Sequence, residues 1–233
     1  DSGYIGQGPK VDEFEKQIGD YFGNKKVITT NAGTSALHLA LHLLKKPKPH
    51  WNEDVFQGVA FVSHNWPGIE DGDEVLATPL TCTASNWPIV ANNLKIKWVD
   101  IDPTTLNMDL EDLERKMTPK TKAIMGVHWG GYPLDLDEIR NIRARFRKEH
   151  GWAPALIEDG AHSIGTKYKG KYLGNHGNFV MNSLQAIKHI TSVDGGILYC
   201  PHEELYERAK LLRWYGIDRN PKGRTDFRCE ADI

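Results

Sequence analysis

The sequence has little cysteine: Cys82, Cys200 and Cys229 are three in 233 residues, odd in number, far apart and in no C-x-x-C arrangement. That spacing argues against a disulfide framework and a zinc site, and points to a reducing, cytoplasmic setting. A surplus of either charge is also missing, since 29 Lys and Arg face 31 Asp and Glu for a formal net charge of −2. An electrostatic nucleic-acid binder would carry a basic domain, so no nucleic-acid partner is expected. Long apolar runs are lacking too. The charge-free stretch 75–94 holds Pro79, Pro88 and seven Thr, Ser or Asn residues; it cannot be the apolar helix of about 20 residues that a bilayer requires. No membrane partner is expected. Residues 1–8 show neither the cationic start nor the apolar run of a secretory signal.

What is present reads as one large domain, or one domain and a fragment of a second. After Gly8-Pro9, the apolar residues Val11, Phe14, Ile18 and Tyr21 recur at helical spacing and stop at Gly23. Beyond it, β-rich runs at 27–30, 74–79, 95–101, 123–129, 155–159, 178–184 and 195–200 alternate with helical patterns at 34–44, 85–93, 110–117, 136–150 and 202–215. Strand alternating with helix predicts an α/β fold with a largely parallel sheet. Too little chain joins the last two strands for a helical crossover, so an antiparallel pair fits there. Residues 45–73, with Pro47, Pro49 and Pro67, are too long for a structureless loop and read as an ordered insertion or a lid.

Three places can carry chemistry. The run Asn31-Ala32-Gly33-Thr34-Ser35 follows a strand and opens a helix. Free amides at a helix start, beside hydroxyls and a glycine, suit a phosphate; on spacing alone, helix capping by Thr34 or Ser35 is the commoner role of such a run. The run Glu158-Asp159-Gly160-Ala161-His162-Ser163 follows an apolar strand. Ligands of open α/β sheets collect beyond the carboxyl ends of strands. Asp159 there can hold a heterocyclic N–H⁺ and His162 a ring edge, or Asp159 can cap the next helix. The third run, Ser183-Leu184-Gln185-Ala186-Ile187-Lys188-His189, leads to Asp194-Gly195-Gly196. A lone lysine is ordinarily a solvated cation. One held among apolar neighbours can act as an amine nucleophile toward a carbonyl. An anion cradle, a carboxylate for a ring nitrogen and an amine are together what pyridoxal phosphate requires.

With these blocks in order, the sequence resembles the DegT/StrS-type nucleotide-sugar aminotransferases, within the fold-type-I pyridoxal-phosphate enzymes. The resemblance also covers Gly8-Pro9-Lys10-Val11, Gly72-Asp73-Glu74-Val75, Val99-Asp100-Ile101-Asp102-Pro103, Thr118-Pro119-Lys120-Thr121-Lys122-Ala123-Ile124 and Leu211-Leu212-Arg213-Trp214-Tyr215-Gly216. It implies the large domain of that fold over 1–218, a mostly parallel seven-stranded sheet with helices on both faces, and a linker to a smaller C-terminal domain starting in 219–233. It implies that Lys188 forms the Schiff base with the cofactor and later moves a proton, and that Asp159 pairs with the pyridine nitrogen. Gly33, Thr34, Ser35 and Ser183 would hold the phosphate, with His162 near the cofactor hydroxyl. Cys82 stands where members commonly place a stacking aromatic ring. The implied reaction transfers an amino group from glutamate to a keto sugar on a nucleotide, in a homodimer with shared active sites.

Some sugar dehydratases of the same family replace the lysine by histidine. Here His189 follows Lys188, and aligning on Ser183 puts the lysine in the Schiff-base position. A non-catalytic ligand-binding module that kept the fold is the reading from another class. The cations of 140–148 read as the solvated side of an amphipathic helix whose apolar face is Ile139, Ile142 and Phe146. The histidines at 38, 42, 50 and 64 have no paired carboxylate, so no metal is expected.

Overall fold

In the computed structural model, which describes residues 7–46 and 66–216, the first element is helix α1 (Pro9–Phe22). Proline sits in its first turn, where an N–H is not needed. Its inner side buries Gly19 and Phe22. Tyr21, read from the sequence as part of that face, is 71 % exposed; Phe22, one residue on, takes the inward position. Buried Glu15 ties this helix to the next strand, because its Oε1 accepts from Thr29 N at 2.7 Å, from Thr29 Oγ1 at 2.8 Å and from Arg213 Nη1.

The strands are β1 (Val27–Thr30), β2 (Glu74–Ala77), β3 (Lys95–Trp98), β4 (Thr121–Val127), β5 (Ala155–Asp159), β6 (Lys167–Tyr168), β7 (Lys171–Tyr172), β8 (Phe179–Ser183) and β9 (Gly196–Tyr199). Seven of them form one sheet in the order β1-β9-β8-β5-β4-β2-β3. Pairs among β3, β2, β4, β5 and β8 are parallel, whereas β9 runs antiparallel to both β8 and β1. The expected fold class is therefore the one observed, with the antiparallel pairing where the short connection puts it. The two-residue strands β6 and β7 form a separate hairpin. The sequence reading missed it: Lys alternates with Tyr around Gly170, but two residues per strand are too few for a period to stand out.

Helices α2 (Gly33–His42), α3 (Thr83–Ala91) and α6 (Glu203–Leu212) pack on one side of the sheet, where Leu37, Leu41, Ile89, Leu205 and Ala209 meet Val75, Met125, Ile157 and Met181. On the other side, α1, α4 (Leu110–Lys116) and α5 (Leu136–His150) bring Phe22, Leu113, Leu136, Ile139 and Ile142 against Leu76, Ile124, Leu156 and Val180. Burial of each such side chain is worth roughly 1.5–3 kcal/mol. Strand alternation thus assigns neighbouring residues to opposite faces. Asp159 and Ser183 fall on the side of α2 and α3, and Glu158 on the side of α5.

Helix α5 matches its expected limits. Asp135 caps it, accepting from Asp137 N at 3.1 Å and Glu138 N at 3.0 Å. In the 45–73 segment, Trp66 and Ile69 are buried and both donate to Leu44 O, from Nε1 at 3.3 Å and from N at 3.1 Å. The end of the segment is therefore an ordered part of the core rather than a lid. Residues 47–65 and the expected linker 219–233 lie outside the described residues. Among the described residues, no helix is long and apolar enough to cross a membrane.

His42, at the end of α2, is half-buried, and burial together with Arg208 and Lys45 brings its pKa down to about 4. A neutral histidine in the fold and an ordinary one in the unfolded chain mean that the unfolded state binds more protons between those values. Stability should hold above pH 6.5 and fall as pH drops toward 4, by on the order of 1–2 kcal/mol after solvent screening. Urea denaturation across that range, compared with His42→Gln, checks this; the variant should show a shallower loss.

Candidate active site

Strand β1 ends at Thr30, whose hydroxyl donates to Ala32 O at 2.8 Å and tightens the turn into α2. The helix begins at Gly33 with Ala32 in the N-cap position, and no side chain caps it. The capping alternative for Thr34 and Ser35 therefore falls away: both lie inside the first turn, and the helix-start amides have no side-chain acceptor at the cap. Strand pairing brings this turn to Ser183, because Thr30 and Ser183 are both register partners of Gly196.

That meeting depends on glycine. A Cβ on Gly196 would lie 2.5 Å from Ala32 O and 2.7 Å from Gly33 N, both backbone atoms. A Cβ on Gly33 would lie 2.8 Å from Met181 Sδ and 3.3 Å from Ser183 Cβ. The helix start is thus pressed directly onto the end of β8. Gly196→Ala has nowhere to put its methyl, and is expected to cost about 1–3 kcal/mol as an overpacked site. It should also push Gly33 and Ser183 apart. Thermal unfolding measures the first effect; weakened binding of an anionic cofactor, measured at a temperature where the variant is folded, measures the second.

Asp159 ends β5, is 4 % exposed and is held at both oxygens. Oδ1 accepts from Ala161 N at 2.9 Å, and Oδ2 accepts from Ser85 Oγ at 2.6 Å. Ser85 Oγ lies 2.6 Å from Thr81 Oγ1. Since the Ser85 hydroxyl donates to the carboxylate, Thr81 donates to Ser85. The sequence reading missed both hydroxyls. Their spacing of four on a helix start is visible, but their target lies 74 residues away. Cys82, between them, is exposed at the N-cap of α3 and caps nothing.

His162 follows the same strand. Its ring meets Trp129 edge to face at a centroid distance of 5.6 Å. Burial, then the charge of Lys188, lower its pKa, and Asp159 opposes them, so the imidazole favours its neutral form. The Lys188 charge is therefore within electrostatic reach of His162, on the turn that follows β8. The neck of that turn is closed by Leu184 N to Gly195 O at 2.8 Å, Ser192 N to Leu184 O at 3.0 Å and Thr191 Oγ1 to Leu184 O at 2.9 Å. Lys188 is half-buried, whereas His189 is exposed.

The fold thus gathers Asp159, His162, Lys188 and Ser183 at the carboxyl ends of β5 and β8, with Gly33 against Ser183. Ser35, in the first turn of α2, lines a cavity of about 740 Å³ together with Asn31, His38, Arg213 and Tyr215. Pyridoxal phosphate fits the arrangement on three counts: a cradle that Cβ atoms would fill, a buried carboxylate in the α2/α3 face, and an amine on the adjoining turn. Among the described residues no three His, Cys, Asp or Glu side chains converge as metal ligands would.

The model of the DegT/DnrJ/EryC1/StrS aminotransferase family matches residues 1–50 and 58–229. Spore coat polysaccharide biosynthesis protein SpsC of Bacillus subtilis is 33 % identical over 219 residues, which are 94 % of this chain and 49 % of that protein. Among solved structures, AtS13 from Actinomadura melliaura is 48 % identical with a TM-score of 0.84, covering 98 % of this chain and 56 % of that one. The sugar aminotransferase CalS13 from Micromonospora echinospora is 41 % identical with a TM-score of 0.82, over 98 % of this chain and 56 % of that one. The chain spans about half the length of the curated relatives it matches. Over that span, in sequence and in the geometry of its sheet, the chain belongs to the DegT/DnrJ/EryC1/StrS aminotransferase family.

Proposed function

We propose that this chain is the cofactor-binding part of a pyridoxal-phosphate-dependent aminotransferase that moves an amino group from glutamate to a nucleotide-linked keto sugar. Residues 1–218 would be its large domain, and 219–233 would lead into a smaller one. The observation that carries the reading is the convergence of Lys188, His162 and Asp159 at the carboxyl ends of β5 and β8, next to the α2 turn and Ser183. When bound, pyridoxal phosphate supplies an aldehyde and a protonated ring that draws electrons from a substrate carbon.

In this reading the chain's own residues do the following. The amides of Gly33 and Thr34 and the Ser183 hydroxyl bind the phosphate, helped by the positive end of α2. Ser35, placed on the neighbouring cavity wall, supports that turn. Asp159, fixed in orientation by Ser85 and Ala161, holds a proton on the ring nitrogen. Neutral His162 offers a hydrogen bond at the ring edge without adding charge beside Lys188. Cys82 borders the site as a small side chain where a larger one would cover more of the ring. The Lys188 amine engages the aldehyde and carries a proton to and from the substrate carbon.

Transamination is favoured over dehydration because Lys188 is half-buried while His189 is exposed, and the charge of Lys188 acts on His162 more strongly than that of His189. The partners proposed are glutamate, a nucleotide sugar and a second copy of the chain that completes each site in a homodimer, in a cytoplasmic setting. The test incubates the complete protein with pyridoxal phosphate, glutamate and a panel of nucleotide-linked keto sugars, and identifies products by mass. A product with the keto oxygen replaced by an amine supports the reading. Loss of a hydroxyl without gain of nitrogen would assign the dehydratase reaction instead, and no change in any sugar would leave a binding module.

A further inference from the structure

Behind Asp159 the hydroxyls of Thr81 and Ser85 form a relay of two steps. Ser85 Oγ donates to Asp159 Oδ2 at 2.6 Å, and Thr81 Oγ1 lies 2.6 Å from Ser85 Oγ. Both distances are at the short end for O–H···O bonds, as expected where the last acceptor is a carboxylate. Thr81 sits just before α3 and Ser85 in its first turn, so one helix start carries both hydroxyls to the end of β5. The N-cap of α3 is Cys82, with no side-chain cap. The Thr81 hydroxyl thus serves no helix amide; its partner is the Ser85 oxygen.

A hydroxyl has one proton and two lone pairs. Ser85 gives its proton to Asp159, and Thr81 supplies the donor that its oxygen then needs. Ser85 is 1 % exposed, so bulk water does not take the place of Thr81. If Thr81 stops donating, the Ser85 oxygen is left buried and unsatisfied. It regains a donor only by leaving the rotamer that serves Asp159. Hydrogen bonds in such a chain also polarise one another, which strengthens the bond that reaches the carboxylate.

We propose that Thr81 is a positioning residue for the proton on the cofactor ring: acting through Ser85, it fixes the direction of the relay and with it the negative charge that Asp159 presents to the ring nitrogen. The proposal rests on the reading of this site as one for pyridoxal phosphate. It needs no contact of Thr81 with cofactor or substrate. A hydroxyl is required at position 81 and a methyl is not, so serine should serve there and valine, close to threonine in shape, should not.

The test titrates the visible band of the bound cofactor against pH in the complete protein, a spectroscopic readout that needs no turnover. Charge on Asp159 acts on the ring and through it on the pH at which the band shifts. Ser85→Ala is expected to move that pH by on the order of 1 unit, the scale of one hydrogen bond to a charged group. Thr81→Val should move it in the same direction by at least half as much, and Thr81→Ser should restore the parental value. In the Ser85→Ala background, Thr81→Val should add nothing, because the relay is already cut. The other titratable groups acting on His162, namely Lys188, Asp159 and His189, are the same in all of these proteins. If Thr81→Val does not fold, Thr81→Ala replaces it in each comparison. A Thr81→Val titration that matches the parent, or a shift that adds to that of Ser85→Ala, overturns the proposal; a threonine that only packs would change the unfolding temperature and leave the band alone. A parent protein that takes up no pyridoxal phosphate sinks the reading of the site as well, whereas a parent that titrates beside a silent Thr81→Val sinks this proposal alone.

Discussion

Lys188→Ala is expected to abolish the visible absorbance of the cofactor-loaded protein that borohydride removes, and to lower amino transfer at least 10³-fold. Two roles are lost together. The amine no longer bonds to the aldehyde, and no base remains on that side to carry the proton, a contribution typically worth about 10²–10⁴ by itself. The turn that holds Lys188 is closed by its own backbone and by Thr191, with no bond through the lysine side chain. The variant should therefore unfold at nearly the parental temperature. Absorbance spectra, borohydride reduction followed by peptide mapping, and single-turnover transfer would read the effect. A visible band that survives in the variant and reduces onto another residue would remove Lys188 from its proposed role.

Asp159→Asn should be the next most damaging change, with transfer falling about 10- to 10³-fold. An opposite charge within hydrogen-bond reach raises the pKa of a cationic partner by about 1–3 units, so its loss reduces the protonated fraction of the ring nitrogen accordingly. The substitution is nearly isosteric, and the amide oxygen can still accept from Ser85 or from Ala161. The fold should survive while the electronic effect disappears. Ser85→Ala provides the graded comparison. It removes one of the two hydrogen bonds that orient Asp159, worth about 1.5–3 kcal/mol for a charged acceptor, and should give an intermediate rate. A pH profile of transfer separates a lost proton from a lost fold: for Asp159→Asn the rate should recover as the pH is lowered, because solvent acid then protonates the ring.

Much of this was legible along the chain. All seven strands of the sheet and, among the described residues, the six α-helices were readable, because alternation of period 2 and period 3.6 is a local property of sequence. Helix α5 was readable to its ends, since Asp135 and Gly151 mark its caps. Strand ends were less legible: β2 stops at Ala77 and β3 at Trp98, short of the runs that suggest them. Pro79 has no N–H to continue a ladder, and Asp100 and Asp102 turn the chain instead.

The sequence by itself determined the chemistry on offer: an amine at 188, a carboxylate at 159, an imidazole at 162 and a glycine-led helix start at 33, each placed at or beyond the end of a strand. What only the tertiary structure decided is which of these meet and what each one sees. Ser85 reaches Asp159 because β5 lies beside β4 and β4 beside β2, an order set by packing and invisible in any window of neighbouring residues. The same order turns Glu158 and the α5 arginines to the far face, where Arg143 and Arg147 leave solvent for a shared cavity. Periodicity says that a residue points inward or outward; contact between elements distant in the chain depends on strand order and on close approaches such as that at Gly196, and these are three-dimensional facts.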